Sequence, residues 1–219
     1  MKSRSYSSRV RDAQAKRTRR AIIDAASRLF AENGYVATSV DQIADAAGVA
    51  RATVFASVGG KPALLKTAHD VAVVGDDEPV ALPDRPRSRK VIADPDPYRH
   101  ATGYAEIVVE IGGRMARLYD AIRAAAGVDG EVAELWRALN AQRRTGAGNF
   151  VRQSASKGRL RRGLDQETAA DIVFVLNDPA LYRTLVLERG WPVEKFAAWL
   201  TRTIQEQLLQ PRPAHDAAT

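Results

Sequence analysis

The stretch Thr38–Lys61, TSVDQIADAAGVARATVFASVGGK, decides how the chain is read. Ser39 followed by Gln42 has the spacing of a capping box, in which hydroxyl and amide satisfy backbone N–H groups at a helix start. Val40, Ile43, Ala44 and Ala47 then fall on one helical face. The small side chain at Ala44 lets a second helix approach, and Gly48 supplies the backbone freedom for a tight turn. Val49 returns to the core. Val54 anchors a second helix from about Ala50 to Ser57, which leaves Arg51, Ala52, Thr53, Phe55 and Ala56 exposed. Two short helices joined in this way form a helix-turn-helix, whose second helix enters the DNA major groove by its N-terminal end. Arg51 can donate two hydrogen bonds to a guanine, and Thr53 can reach a base or a phosphate. An ordinary helical hairpin would share the glycine turn but not the whole ordered set.

Charge supports the same reading. The net charge is +7, from 33 Lys/Arg and 26 Asp/Glu. Residues 1–61 hold eleven basic and five acidic side chains, which leaves only +1 for the rest. The excess therefore lies with the helix-turn-helix, where a polyanion would bind. Residues 1–15 are rich in Ser and Arg without apolar periodicity and read as a flexible basic arm, in which Arg4, Arg9 and Arg11 can follow DNA. Lys16 to Asn33 is an amphipathic helix with Ile22, Ile23, Ala26, Leu29 and Phe30 inward, stopped by Gly34. Arg17, Arg19 and Arg20 near its start are candidate phosphate contacts, and so is Lys61 beside the next helix start.

The segment resembles the DNA-binding domain of the TetR family of bacterial transcriptional regulators. The resemblance rests on Ala21-Ile22-Ile23-Asp24-Ala25-Ala26, Leu29-Phe30, Gly34-Tyr35, Thr38-Ser39-Val40, Ile43-Ala44, Ala47-Gly48-Val49, Thr53-Val54-Phe55 and Lys61-Pro62-Ala63-Leu64-Leu65. The chain departs from the family at Ala50, where Ser often caps the helix, and at Ala56, Ser57 and Val58. The resemblance implies an all-α homodimer, with a three-helix DNA-binding domain and a larger C-terminal domain that dimerises and takes a small ligand. It implies double-stranded DNA as partner, a small-molecule effector, and Thr38, Ser39 and Ser57 among the contacts beside those above. It also supports Lys61 as a phosphate contact.

The rest of the chain is helical by period. With 219 residues it can bury a substantial core. The domains expected are 16–61 for DNA, 62–210 for ligand and dimerisation, and a disordered tail at 211–219. A connector helix runs from Pro62 to about Val74, followed by a Pro- and Asp-rich loop with a short helix near Ser88 to Ala93. Tyr98 to Ala126 carries one apolar stripe, with Gly112-Gly113 as a kink or break. Glu131 to about Ser156 follows. Asp165 caps the next helix, which Pro179 bends, and Trp191-Pro192 starts the last. Leu181-Tyr182, Leu185-Val186, Glu188-Arg189-Gly190-Trp191 and Trp199-Leu200 are similar to the last two helices of the family, which pair across a two-fold axis. Both helices are apolar over more than one stripe, so Ile172, Leu181, Leu185, Phe196, Trp199, Leu200 and Ile204 are the candidate dimer interface.

A pocket of apolar walls and few polar anchors suits Tyr104, Ile107, Met115, Tyr119, Trp136 and Phe174 with Asn140, Arg143, Asn177 and Asp178. The same residues also suit a plain core. The absence of cysteine removes disulfides, thiolate nucleophiles and Cys-based zinc sites. His69, His100 and His215 lack metal-ligand spacing, and no cofactor is expected. Gly146-Ala147-Gly148 marks a weak point in a helix better than a phosphate loop. Neither an export signal nor a membrane span is visible, so a cytoplasmic protein is expected. The expectation is a DNA-binding regulator, a repressor released from a palindromic operator by a small, largely apolar ligand. The alternative is a helical-bundle enzyme with a nonspecific basic N-terminal domain.

Overall fold

The computed structural model describes residues 3–158 and 160–211, with side chains from residue 10 onward. The helices are α1 (Ser3–Ala37), α2 (Val40–Ala47), α3 (Arg51–Ser57), α4 (Lys61–Val74), α5 (Pro86–Ala93), α6 (Pro97–Ala125), α7 (Gly130–Ser156), α8 (Gln166–Leu176), α9 (Pro179–Tyr182) and α10 (Val193–Leu208). A 3-10 turn, Leu82–Asp84, precedes α5, and a π-turn, Arg183–Glu188, follows α9. Among the described residues the only extended pairing is a single antiparallel bridge between Leu160 and Leu209.

The chain divides into two compact units, residues 1–78 with 117–136, and residues 79–116 with 137–219. The first unit is larger than the expected domain at 16–61. The reason is burial: α4 packs on α1 and sinks Leu64, Leu65 and Ala68 into the same core as Ile22, Ile23, Ala26, Phe30, Ile43, Ala44 and Val54. Removing those side chains from water is the main favourable contribution to folding this unit, at ~25 cal/mol per Å².

The start of α1 corrects the expected arm at 1–15. From Ser3 onward the chain is helical, because no Gly or Pro interrupts it before Gly34 and its Arg, Gln, Ala and Lys residues are good helix formers. Gly34, with φ 78° and ψ 169°, breaks the helix where the sequence places its stop. The expected tail falls, from residue 212 on, outside the described residues.

In the second unit, Ala105, Phe150, Val173, Phe196, Leu200 and Ile204 are core residues drawn from α6, α7, α8 and α10. Asp165 caps α8 as expected, accepting from the N–H groups of Glu167 at 3.0 Å and Thr168 at 2.9 Å. Pro179 does more than bend a helix. The helix ends at Leu176, and Asp178 caps a new one by accepting from Ala180 N–H at 2.9 Å. Gly112-Gly113 neither kinks nor breaks α6, which is continuous. A Cβ at Gly112 would lie 3.0 Å from the Tyr182 ring, so this glycine serves close packing. Likewise α7 runs unbroken through Gly146 and Gly148, with Ala147 buried between them.

Candidate nucleic-acid interface

The helix-turn-helix is built by its two caps. Ser39 Oγ accepts from Gln42 N–H at 3.1 Å, and Gln42 Oε1 accepts from Ser39 N–H at 2.7 Å, which completes the capping box. Gly48, at φ 68° and ψ 35°, is left-handed. That conformation lets Val49 N–H reach back to Ala44 C=O at 3.0 Å and ends α2 in one residue. Ala50 starts α3 without any side-chain cap. Ile43, Ala44 and Val54 are buried, so α3 is held from one side only.

The outer side of α3 carries Arg51, Ala52, Phe55 and Ala56, all exposed, with Thr53 and Ser57 half-buried. Arg51 Nη1 donates to Asp41 Oδ2 at 2.7 Å, and its guanidinium lies 5.5 Å from the Phe55 ring centroid. Asp41 therefore orients Arg51 while the pair remains exposed. The sequence reading missed this contact, because it joins residues ten apart across the turn. Phe55 is 45% exposed, an apolar surface beside a directed cation.

Three of the expected contacts are already engaged. Thr38 is 1% exposed. Its hydroxyl lies 2.8 Å from Gly34 C=O and 3.1 Å from Leu29 C=O, so it donates to carbonyls that the end of α1 leaves without helical partners. It is a buried staple, and the expectation of a surface contact is corrected. Arg19 is also corrected. Its Nη1 donates to Ser57 C=O at 2.6 Å and its Nε to Asp77 Oδ2 at 2.6 Å, which joins α1 to the end of α3 and to the turn after α4. Lys61 sits with Nζ 4.2 Å from the Tyr35 ring centroid and donates to Val36 C=O at 3.3 Å. Burial lowers its pKa, and Asp129 opposes that shift. Arg20 pairs with Asp24 at 2.9 Å, and Arg17 and Ser39 are exposed.

Tyr35 explains why Asp129 matters here. Its phenol donates to Asp129 Oδ2 at 2.9 Å, and burial, then this bond, raise its pKa. Asp129 also accepts from Glu131 N–H at 3.0 Å and Val132 N–H at 3.2 Å. The Tyr35 hydrogen bond, followed by the backbone ones, holds its carboxyl below the usual range. The end of α1 is thereby hydrogen-bonded to the start of α7 within one unit. The sequence offered no signal for a pair 94 residues apart.

The ligand candidates do not form one group. Tyr119 and Trp136 belong to the first unit, with ring centroids 4.8 Å apart, while the other eight belong to the second. Met115 and Tyr119 are core, at 1% and 5% exposure. Arg143 gathers most of the rest. Its Nη1 donates to Phe174 C=O at 2.6 Å and Asn177 Oδ1 at 2.9 Å. Its Nη2 donates to Asn140 Oδ1 at 3.2 Å and Asp178 Oδ2 at 3.0 Å. Asn177 Nδ2 donates to Tyr104 OH at 3.0 Å, and burial raises the Tyr104 pKa to about 12. Ile107 is half-buried. An open depression lies elsewhere, between α7 and α8, where Arg144, Thr145, Gly148, Arg152 and Gln166 are among its lining residues.

Of the dimer candidates, Phe196, Leu200 and Ile204 are at most 1% exposed inside the protomer, which removes them from its surface. Their side of α10 faces α8 and the rest of the core. Ile172, Leu181, Leu185 and Trp199 are half-buried, and Val175, Leu187 and Val193 stand exposed near them in sequence at 61%, 43% and 40%.

A capped α2, a left-handed glycine turn and an α3 with one open polar side define a helix-turn-helix protein of the DNA-binding class. Residues 22–68 match the bacterial regulatory proteins of the tetR family. The chain is 31% identical over 170 residues to YdeS, an uncharacterised helix-turn-helix-type transcriptional regulator of Bacillus subtilis (strain 168), covering 77% of this chain and 79% of that one. It shares its fold with NalD, the secondary repressor of the MexAB-OprM multidrug efflux pump in Pseudomonas aeruginosa, at TM-score 0.66 and 21% identity over 91% of this chain and 100% of that one. A transcriptional regulator from Saccharomonospora viridis in complex with choline superposes at TM-score 0.66 and 17% identity, over 88% and 98% of the two chains. This chain belongs to the TetR family of bacterial transcriptional regulators. The enzyme alternative has no support, since the family and the relative are regulators. Among the described residues no helix is long and apolar enough to cross a membrane.

Proposed function

We propose that the chain acts as a homodimeric repressor, bound to an operator of two-fold symmetry and released by a small, largely apolar ligand. The observation that carries the reading is the open side of α3, where Arg51 is aimed by Asp41 beside Ala52, Phe55 and Ala56. Arg51 reads a base, Phe55 and the alanines make apolar contact, and Ser39, Arg17, Arg20 and Lys61 meet phosphates. Lys61 leaves the Tyr35 ring to do so. Two copies related by a two-fold axis read half-sites about 34–36 Å apart, one helical turn.

Dimerisation uses the half-buried Ile172, Leu181, Leu185 and Trp199 with the exposed Val175, Leu187 and Val193, an apolar set that a second copy would cover. The choline complex and the efflux-pump repressor support an effector for this chain too. Tyr104, Asn140, Arg143, Phe174, Asn177 and Asp178 are its candidate contacts, because the hydrogen bonds around Arg143 are one set that a ligand could exchange for its own. Release requires that the ligand bind the two conformations unequally, by about 1–3 kcal/mol in a typical coupled pair.

The test is selection of binding sites from random duplex DNA by the full chain. A palindromic consensus bound by a dimer is expected. Weak binding with no consensus would overturn the operator reading.

A further inference from the structure

The positive charge is more sharply placed than the helix-turn-helix itself. Residues 1–20 contain eight Lys/Arg and one acidic residue, Asp12, and so hold the entire +7. The remaining 199 residues have 25 side chains of each sign. Residues 21–61, which include α2 and α3, have three basic residues (Arg28, Arg51, Lys61) against four acidic ones (Asp24, Glu32, Asp41, Asp45). Two of those three cations are engaged, Arg51 by Asp41 and Lys61 by Tyr35 and Val36. The helix-turn-helix alone is a poor polyanion surface.

The charge sits on a helix that the core does not use. From Val10 to Arg17 every residue of α1 is exposed, including Arg11, Lys16 and Arg17. A helix polar all round gains nothing from packing and needs another source of stability. Its position is fixed by Arg19, whose bond to Ser57 C=O ties the base of this stretch to the C-terminal end of α3. From Arg20 back to Arg11 the helix extends ~14 Å at ~1.5 Å per residue. Along a duplex that length covers about four base pairs at ~3.4 Å each.

We propose that this N-terminal stretch of α1, Arg11 to Arg20, is a second DNA-binding surface that holds the sugar-phosphate backbone outside the base pairs read by α3. Its location rests on the operator reading above. A helix is ~10–12 Å across with side chains and does not fit the minor groove, ~6 Å wide, so the contacts are to phosphates and not to base edges. Division of labour follows: this surface supplies salt-dependent affinity, and α3 supplies sequence preference.

The experiment compares the full chain with the triple variant Arg11→Gln/Lys16→Gln/Arg17→Gln and with Arg11→Lys/Arg17→Lys, which keeps the charge. Affinity is measured at several salt concentrations on three duplexes: the selected site with long flanks, the same site trimmed to its bases, and a random sequence. Circular dichroism confirms that each variant is folded. In wild type the flanked site is expected to bind more tightly than the trimmed one. In the triple variant the difference vanishes, the preferred sequence stays the same, and the slope of log affinity against log salt falls by about 2–3. The Lys variant keeps the wild-type slope. An unchanged slope in the triple variant, or an equal loss on flanked and trimmed sites, would overturn the proposal. If wild type shows no preferred sequence, the operator reading fails, while the slope on random duplex still decides whether this helix binds phosphate.

Discussion

At the scale of single residues, the same residue type serves opposite ends according to its neighbours. Thr38 and Ser39 are adjacent hydroxyls at the start of the motif. Ser39 is exposed and caps α2, while Thr38 is buried and staples the end of α1. Thr38→Val keeps the shape but leaves the Gly34 and Leu29 carbonyls unmet, which costs about 1–2 kcal/mol. Urea unfolding should show that loss, with DNA affinity unchanged where the protein is folded. Lower affinity at full stability would make Thr38 a contact after all. Arg51→Ala should relax sequence preference and cost roughly 1–3 kcal/mol of operator binding. Asp41→Asn should cost less than removing Arg51 itself, because it frees the guanidinium without removing it. Lys61→Ala should weaken binding to every sequence and reduce the salt slope by about 1. Competition binding at two salt concentrations separates the three.

At the scale of elements, pairing between helices creates behaviour that neither helix has alone. His100 on α6 is 1% exposed and stacks on Phe150 of α7 with ring centroids 4.8 Å apart. Its Nε2 lies 3.3 Å from Gln153 Oε1, and its Nδ1 lies 3.3 Å from Ser154 Oγ, so a neutral ring donates to the first and accepts from the second. Burial, reinforced by Lys157, pushes its pKa down to about 4, against opposition from the Gln153 bond and Asp94. The unfolded chain titrates near pH 6.5 and so binds more protons between pH 6.5 and 4. The contribution to stability is present above 6.5 and is lost as pH falls toward 4, on the order of 2–3 kcal/mol. His100→Gln should flatten the stability curve over that window, measured by urea unfolding at pH 7 and pH 4.5. An equal fall in both proteins would show that other groups dominate. The spacing of α6 made its apolar stripe legible, but Gly112 read as a kink because its partner, the Tyr182 ring, is 70 residues away in sequence.

At the scale of the whole molecule, function depends on two copies acting together. Val175 on α8 is 61% exposed, an apolar side chain with room for a partner. Val175→Asp leaves the protomer core intact, so the variant should remain folded. It should shift sedimentation toward the monomer and weaken operator binding at least tenfold, since each half-site alone lacks the linked second contact. A dimer of unchanged strength would place the interface elsewhere. Phe196→Ala is the contrast, because it opens a cavity in the protomer and should cost about 3–5 kcal/mol of stability whatever the oligomeric state.

What the sequence determined by itself were the features set by neighbours along the chain: the capping box of Ser39 and Gln42, the left-handed turn at Gly48, the Asp165 cap, the helical periods and the all-α class. Each depends on residues within about four positions, where geometry follows from spacing. Only the tertiary structure decided which side of each helix is inside and which polar groups are already satisfied. Phe196, Leu200 and Ile204 share one apolar stripe that sequence assigns equally well to a protomer core or a dimer interface, and packing against α8 settled it. Arg19 and Thr38 are polar residues near DNA in sequence, yet their hydrogen bonds turn inward. Burial and long-range partners are properties of the folded chain, because a local spacing says what a side chain can bond and not what lies in front of it.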